Sequence, residues 1–115
     1  MKKNKYNENI NRIRHIKRAI VLIEKYVSNQ TENSFYANNI VHDAVLFQFT
    51  VIGEAINHVD KAILDKYDYS WHKVRAFRNL IAHEYFDIKM DAVWFIIKKD
   101  LPELKVFIDK MIHNR

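Results

Sequence analysis

The feature that most restricts the fold of this chain is its scarcity of turn-forming residues. Its 115 residues include one glycine, Gly53, and one proline, Pro102. A sheet protein needs turn residues at short intervals, because each strand must reverse after about five residues. Long helices with few connections are therefore favoured, and a hydrophobic content of 49% is enough for one modest core. We expect a single helical domain spanning residues 1–115.

Apolar residues recur at spacings of three and four along most of the chain, which is the period of a one-faced α-helix. The pattern predicts helices over residues 8–28 and 39–58, a short third helix or a helical extension over residues 60–67, a helix from Trp71, and a last helix from about Ala92. Residues 28–34 should form a loop, with Asp60, Ser70 and either Asp87 or Asp91 as helix caps. The prediction is an all-α, antiparallel bundle of four or five helices.

Several residues within these helices are unusual for a simple surface helix. Val51 and Phe47 lie outside the apolar stripe of the second helix, which therefore should be either a central helix or part of a subunit contact. Gly53 costs about 1 kcal/mol relative to alanine, so either a bulky group approaches it closely or it is a tolerated defect. Glu54 is either plainly exposed or paired with an arginine of another helix. Pro102 should kink the last helix or begin a new one.

The composition indicates the class of partner. A formal charge of +5 and a pI of about 9.4 favour a polyanion such as RNA, DNA or an acidic protein. The absence of cysteine excludes disulfides and thiolate metal sites, and one glycine excludes a glycine-rich phosphate loop. The six histidines form no metal-ligand spacing, so we expect no metal and no cofactor. No apolar run approaches the roughly 20 residues that cross a bilayer, so we expect a cytoplasmic protein with no membrane partner.

Residues 78–85, Arg-Asn-Leu-Ile-Ala-His-Glu-Tyr, concentrate chemically capable side chains. Histidine suits general acid–base catalysis at neutral pH, and the arginine fork matches phosphate oxygens. Arg78 and His83 together suit metal-free cleavage of RNA, in which the ribose 2′-hydroxyl is an internal nucleophile. The structural alternative is a histidine that meets the helix dipole and an arginine in a salt bridge.

Helix geometry limits how these two side chains can cooperate. Five residues along a helix correspond to a rotation of roughly 140°, so Arg78 and His83 do not share a narrow face. They can serve one substrate if the helix ends near Ala82, if the substrate bridges two faces, or if two copies of the chain meet at a dimer axis. A second copy would also supply the second imidazole that two proton transfers require.

The segment resembles the motif of the HepT-like toxins of the HEPN superfamily, which is an arginine, four to six residues, a histidine, any residue and a tyrosine. Here Arg78, His83 and Tyr85 occupy those places, with Asn79 directly after the arginine. The resemblance extends to Ile-Gly-Glu-Ala at 52–55, to Trp71, and to Trp94 with Asp-Leu-Pro-Glu-Leu at 100–104. It covers nearly the whole chain except the first dozen residues.

The resemblance implies a HEPN-like homodimer with a cleft at its axis, lined by the arginine and histidine of both subunits. It implies a metal-independent endoribonuclease toxin in which Arg78 and His83 are catalytic. It also implies a partner, an MntA-type minimal nucleotidyltransferase antitoxin. That partner uses ATP and magnesium to adenylylate the motif tyrosine, here Tyr85, and so silences the toxin.

Four further residues are candidates for catalytic support or RNA binding. Asn79 follows from the resemblance, whereas Arg75, His72 and Glu54 are placed by helix face and proximity. Two other functions stay open from the sequence. The chain could be a catalytically inactive helical subunit that partners a nucleotidyltransferase, or a purely structural helical dimer.

Overall fold

The computed structural model describes residues 5–113, and every regular element in that range is helical. The α-helices are α1 (Lys5–Val27), α2 (Glu32–Tyr36), α3 (Asn39–Asn57), α4 (Lys61–Leu64), α5 (Trp71–Glu84), α6 (Met90–Phe95) and α7 (Leu101–His113). A 3-10 turn (Tyr85–Asp87) follows α5, and a π-helical turn (Ile96–Asp100) joins α6 to α7. Four long elements, α1, α3, α5 and the α6–α7 rod, form the predicted all-α antiparallel bundle. Within residues 5–113, no helix has the length and apolar character needed to span a bilayer.

Helix α3 is the centre of the bundle. It packs against both α1 and α5, and α1 also packs against α7. On α1, Ile13, Ile16, Ile20 and Ile23 repeat at helical spacing and are all at most 1% exposed. They meet an equally buried face of α3, because both helices carry one continuous apolar stripe. Of the two alternatives for this helix, the central position is confirmed. Phe47, one of the two residues that suggested it, is nevertheless 63% exposed.

The predicted loop over residues 28–34 is partly wrong, because its last three residues belong to α2. Thr31 caps this short helix by accepting a hydrogen bond from the Ser34 backbone, and the Ser34 hydroxyl accepts one from the Thr31 N–H. The same short polar side chains that favour a loop can satisfy the free N–H groups of a first helical turn. Phe35, which is fully buried, then anchors the turn in the core.

The predicted caps are also only partly correct. Asp60 precedes α4 but makes no capping bond; instead it accepts a hydrogen bond from the buried Asn9, whose side-chain oxygen binds the Asp60 N–H. Helix α4 ends at Leu64, so the helical segment predicted over residues 60–67 is shorter than expected. Ser70 precedes α5 without a side-chain cap. At Asp60, the pair of hydrogen bonds with Asn9, 51 residues away in the chain, takes the place of the cap, and no local pattern encodes it.

The start of the last helix differs from the prediction by two residues. Helix α6 begins at Met90, after Lys89, so neither Asp87 nor Asp91 occupies the cap position. Asp91 lies inside the first turn, where its carboxylate accepts a hydrogen bond from the next N–H. Pro102 lies in the first turn of α7, directly after the π-helical turn. Proline lacks an N–H and crowds the carbonyl four residues earlier, and wider π winding relieves both effects.

The inward face of α5 is less buried than its apolar stripe suggests. Trp71 and Ile81 are buried, whereas Val74 and Phe77 are half-buried and Leu80 is 40% exposed. Val74 and Phe77 line a cavity of about 410 Å³ between α3, α5 and the α6–α7 rod. This cavity accounts for their partial exposure.

Tyr69 lines the same cavity beside two carboxylates. Burial, followed by the negative charges of Asp100 and Glu103, raises the pKa of Tyr69 to about 12. In the unfolded chain, a tyrosine loses its proton at about pH 10. Above that pH, Tyr69 of the folded chain still holds a proton that the unfolded chain has lost. The resulting stability is complete below about pH 10 and is lost as the pH rises through about 12.

We therefore expect the Tyr69→Phe variant to lose less stability than the wild type between about pH 9 and about pH 11, because it has no phenol to titrate at this position. Thermal unfolding at a series of pH values measures the two slopes. The exposed Tyr6 provides the matched control, since Tyr6→Phe should leave the wild-type slope in place. Equal slopes for Tyr69→Phe and the wild type would contradict this assignment.

Candidate active site

The candidate site begins where α3 crosses α5 at Gly53. A Cβ on this residue would overlap the Cβ of Arg78 and lie 2.7 Å from its Cγ. The glycine therefore leaves the space in which the arginine stem lies against the backbone of α3. Of the two interpretations of Gly53, close approach of a bulky side chain is confirmed.

The guanidinium of Arg78 is held by a carboxylate of α3. Its Nη2 donates to Oε2 of Glu54 at 2.7 Å, and its Nη1 makes a long contact of 3.4 Å to Oδ1 of Asn79. Its Nε is buried and has no hydrogen-bond partner among residues 5–113. The pairing of Glu54 with an arginine of another helix is thus confirmed. The Arg78 side chain keeps 30% of its surface exposed, so part of the fork can reach a ligand.

A second arginine is anchored to α3 in the same way. Nε of Arg75 donates to Oδ1 of Asn57 at 3.0 Å. Arg75 precedes Arg78 by three residues on α5, and Asn57 follows Glu54 by three on α3. The Arg75–Asn57 pair therefore lies one helical turn from the Arg78–Glu54 pair. His58 adds an imidazole 3.6 Å from Glu54. The sequence did not single out Asn57 or His58, although their spacing from Glu54 was visible.

His83 lies in the last turn of α5 with its side chain exposed. Helix α5 runs to Glu84, whose backbone (φ −136°, ψ 39°) has already left helical geometry before the 3-10 turn, so the helix ends two residues after Ala82 and His83 is still placed by it. The roughly 140° separation of Arg78 and His83 therefore applies to one chain. His72, at the other end of α5, is exposed as well, and neither histidine has a hydrogen-bond partner within residues 5–113. The structure does not join either of them to the Arg78–Glu54 pair.

Tyr85 closes the other end of the site. Its hydroxyl donates a hydrogen bond to the carboxylate of Asp43 on α3. This hydrogen bond, with a smaller effect of burial, raises the pKa of Tyr85. Asp43 was missed by the sequence analysis, but it lies eleven residues before Glu54, which is three turns and nearly the same helix face. One face of α3 thus carries two carboxylates, one for the tyrosine and one for the arginine.

Large apolar side chains are exposed between these two contacts. Phe47 of α3 is 63% exposed and lies between Asp43 and Glu54 in the sequence. Leu80 of α5 is 40% exposed and lies between Arg78 and Tyr85 in the sequence. Phe86, next to Tyr85, is 96% exposed. Exposed apolar side chains that gather beside polar, functional groups are typical of interaction sites.

The chemistry open to this arrangement is acid–base catalysis and anion binding. A partly exposed guanidinium can bind a phosphate, an exposed imidazole can transfer a proton, and an exposed phenol can be modified. Among residues 5–113, no group of three or more histidine, aspartate or glutamate side chains is arranged to hold a metal ion.

Comparison with known proteins identifies relatives that match most of the bundle. A family model described as "Ribonuclease HepT-like" matches residues 16–111. A Methanocaldococcus jannaschii protein named "Gamma-glutamylcyclotransferase and putative RNase" is 33% identical over 89% of this chain, which spans only 46% of that protein. A second protein of that organism, named "Putative RNase", is 31% identical over 64% of this chain and 68% of its own length.

A Thermococcus cleftensis protein named "Probable ribonuclease HepT" is 26% identical over 84% of this chain and 88% of its own length. No solved structure gives a significant match. The family match covers most of the bundle, including α3, α5 and residues 78–85. On this basis, the chain belongs to the HepT-like ribonuclease family.

Proposed function

We propose that this protein is the endoribonuclease toxin of a toxin–antitoxin system and that it cleaves RNA without a metal ion. The observation that carries the proposal is the position of Arg78, whose guanidinium is fixed at the Gly53 crossing by Glu54 and remains partly exposed. An exposed imidazole, His83, follows on the same helix. The ribonuclease descriptions of the relatives and the net positive charge support RNA as the substrate.

Cleavage proceeds by attack of the ribose 2′-oxygen on the adjacent phosphorus. A base takes the 2′-hydroxyl proton, the new O–P bond forms, and the bond to the 5′-oxygen breaks as an acid protonates that oxygen. Arg78 stabilises the negative charge that grows on the phosphate oxygens. His83 carries out one proton transfer, and a second group must carry out the other.

A homodimer supplies that second group. Each chain offers one His83, on a different helix face from its own Arg78, so two motifs across a two-fold axis would place both residue types around one cleft. Phe47, Leu80 and Phe86 are exposed beside the motif and would be covered in such a contact. We therefore propose that the active form is a dimer built on the exposed faces of α3 and α5.

Adenylylation of Tyr85 is the proposed means of silencing. An MntA-type nucleotidyltransferase with ATP and magnesium would transfer AMP to the phenol, which is 37% exposed and follows His83 by two residues. The added phosphate carries bulk and negative charge into a site that binds RNA phosphate, and it blocks the substrate by steric exclusion and like-charge repulsion.

The test is cleavage of RNA in the presence of a chelator, with DNA of the same sequence as the comparison. We expect RNA fragments that end in a cyclic 2′,3′-phosphate, because the 2′-oxygen is the nucleophile, and intact DNA. A chain that carries both Arg78→Ala and His83→Ala is the control for contaminating nucleases. Cleavage that needs added metal, or that persists in the double variant, would contradict the proposal.

Glu54 should act as a positioning residue for Arg78. Glu54→Gln keeps a hydrogen-bond acceptor but removes its charge, which weakens the contact by about 1 kcal/mol and should lower kcat for RNA cleavage about fivefold. The exposed Glu8 on α1 offers a matched control, since Glu8→Gln should cleave RNA at the wild-type rate. Steady-state kinetics separates kcat from KM, and a change confined to KM would show that Glu54 does not position the arginine.

The second candidate function is a catalytically inactive subunit that binds a nucleotidyltransferase. It is favoured by one observation, the engagement of Arg78 Nη2 by Glu54 in the isolated chain. This function predicts a stable complex with the nucleotidyltransferase and intact RNA in the cleavage test. Cleavage that depends on Arg78 and His83 would exclude it.

A further inference from the structure

We infer that Asp43 is the proton acceptor in the modification of Tyr85, and so a catalytic residue that this chain contributes to its own silencing. The inference rests on the proposed adenylylation. It assigns a chemical step to a carboxylate outside residues 78–85.

The geometry of the pair carries the inference. The Tyr85 hydroxyl already donates its proton to an oxygen of Asp43, so donor and acceptor are aligned before any partner arrives. Asp43 is exposed on α3, and Tyr85 is 37% exposed, so a nucleotide held by another protein can reach the phenolic oxygen. Asp43 is the charged group that acts on Tyr85. Its neighbour His42 is buried and hydrogen-bonded to the carbonyl of Phe35.

The chemistry of the phenol explains why a base is needed. A phenol attacks phosphorus effectively only as its proton leaves. The hydrogen bond to Asp43, followed by burial, raises the pKa of Tyr85, so little phenolate exists at neutral pH. In the transfer of AMP, the phenolic oxygen forms a bond to the α-phosphorus of ATP. The bond between that phosphorus and the oxygen that joins it to the β-phosphorus breaks. Pyrophosphate leaves with the electron pair, and the phenolic proton passes to Asp43.

The experiment uses the full chain, a purified MntA-type nucleotidyltransferase, ATP and magnesium. The initial rate of AMP addition is followed by intact mass for the wild type and for Asp43→Asn. Asparagine keeps the shape and an oxygen acceptor but cannot take the proton. At neutral pH we expect Asp43→Asn to be modified at least about a hundredfold more slowly, which is the typical contribution of a general base.

The pH dependence distinguishes a base from a group that only holds the tyrosine. The rate of Asp43→Asn relative to the wild type should rise between about pH 6.5 and about pH 9.5, because the phenol then begins to ionise without help. A deficit that is the same at every pH would overturn the inference, since it would indicate positioning alone. Asp87→Asn is the matched control, because Asp87 is an exposed carboxylate in the turn that follows α5.

The outcomes separate this inference from the proposed silencing. Tyr85→Phe identifies the modified residue, and a wild-type chain that gains no AMP on Tyr85 overturns both proposals. A wild type that is modified at Tyr85, together with an equally fast Asp43→Asn at every pH, overturns the inference alone and shows that the partner enzyme supplies the base. Melting temperatures of the variants confirm that each one is folded.

Discussion

Replacing His83 by alanine should lower the rate of RNA cleavage at least about a hundredfold, because general acid–base catalysis contributes that much or more. The side chain is exposed and has no hydrogen-bond partner within residues 5–113, so its loss should change the free energy of unfolding by no more than about 0.5 kcal/mol. Cleavage kinetics and thermal unfolding measure the two effects. His15→Ala, at an exposed histidine of α1, is the matched control. Wild-type cleavage by His83→Ala would remove the imidazole from the mechanism.

Arg78 can be tested with its charge retained. Arg78→Lys keeps the positive charge and most of the stem but loses the planar fork, so we expect cleavage to fall by about one to two orders of magnitude. Arg14→Lys on the exposed surface of α1 should have no effect. Together with His83→Ala, this variant divides the loss between phosphate binding and proton transfer.

A mixing experiment asks whether the site needs both copies of His83. Wild type and His83→Ala are unfolded, mixed in varying ratios and refolded together, so that dimers form at random. If each cleft needs two imidazoles, activity should fall as the square of the wild-type fraction, whereas independent sites would give a straight line. A linear result would contradict the composite cleft and would show that each subunit cleaves RNA with its own His83.

The second large effect is expected at the crossing of α3 and α5. Gly53→Ala adds a methyl group where the Cβ of Arg78 already lies, so the two helices must separate. Overpacking of this kind costs about 1–3 kcal/mol, and the better helix propensity of alanine recovers about 1 kcal/mol of it. We expect a melting temperature lower by several degrees. A displacement of about 1 Å at the guanidinium should also reduce RNA cleavage at least about tenfold.

The cause of this destabilisation can be isolated with two double variants. Arg78→Ala removes the Cγ but retains the Cβ, which the methyl group of Gly53→Ala would overlap. Arg78→Gly removes both atoms. Adding Gly53→Ala should therefore destabilise the Arg78→Ala background and not the Arg78→Gly background. Chemical denaturation measures this difference. Equal effects in both backgrounds would show that the clash with Arg78 is not the cause.

Periodicity and composition predicted most of the bundle, since apolar spacing records which face of each helix is buried. They also identified Gly53 and Glu54 as unusual, but not what either residue contacts. The pairing with Arg78 depends on where α3 crosses α5, and crossing points follow from side-chain packing between helices. The sequence therefore left two alternatives for each residue, and the structure selected one.

The residues that the sequence analysis missed share one property. Asp43, Asn57 and Asn9 act through partners at least 18 residues away in the chain. Spacing along α3 relates Asp43 and Asn57 to Glu54, but it does not reveal the partner of any of the three. The short helix α2 was missed for a different reason, because serine and threonine favour loops and helix starts alike. Which of the two forms depends on whether a following apolar residue, here Phe35, finds a place in the core.

The position of Glu54 and Asp43 on the central helix has a consequence for how the site can open. Because α3 packs against both α1 and α5, its amide hydrogens should exchange with solvent mainly through unfolding of the whole domain. The carboxylates on it therefore form a rigid frame, and motion at the site belongs to the end of α5. Release of Tyr85 from Asp43 would let residues 83–87 fray without loss of the bundle. The rate of amide exchange in residues 83–87 should report whether Tyr85 is bonded to Asp43, while exchange in α3 reports only the global stability of the domain.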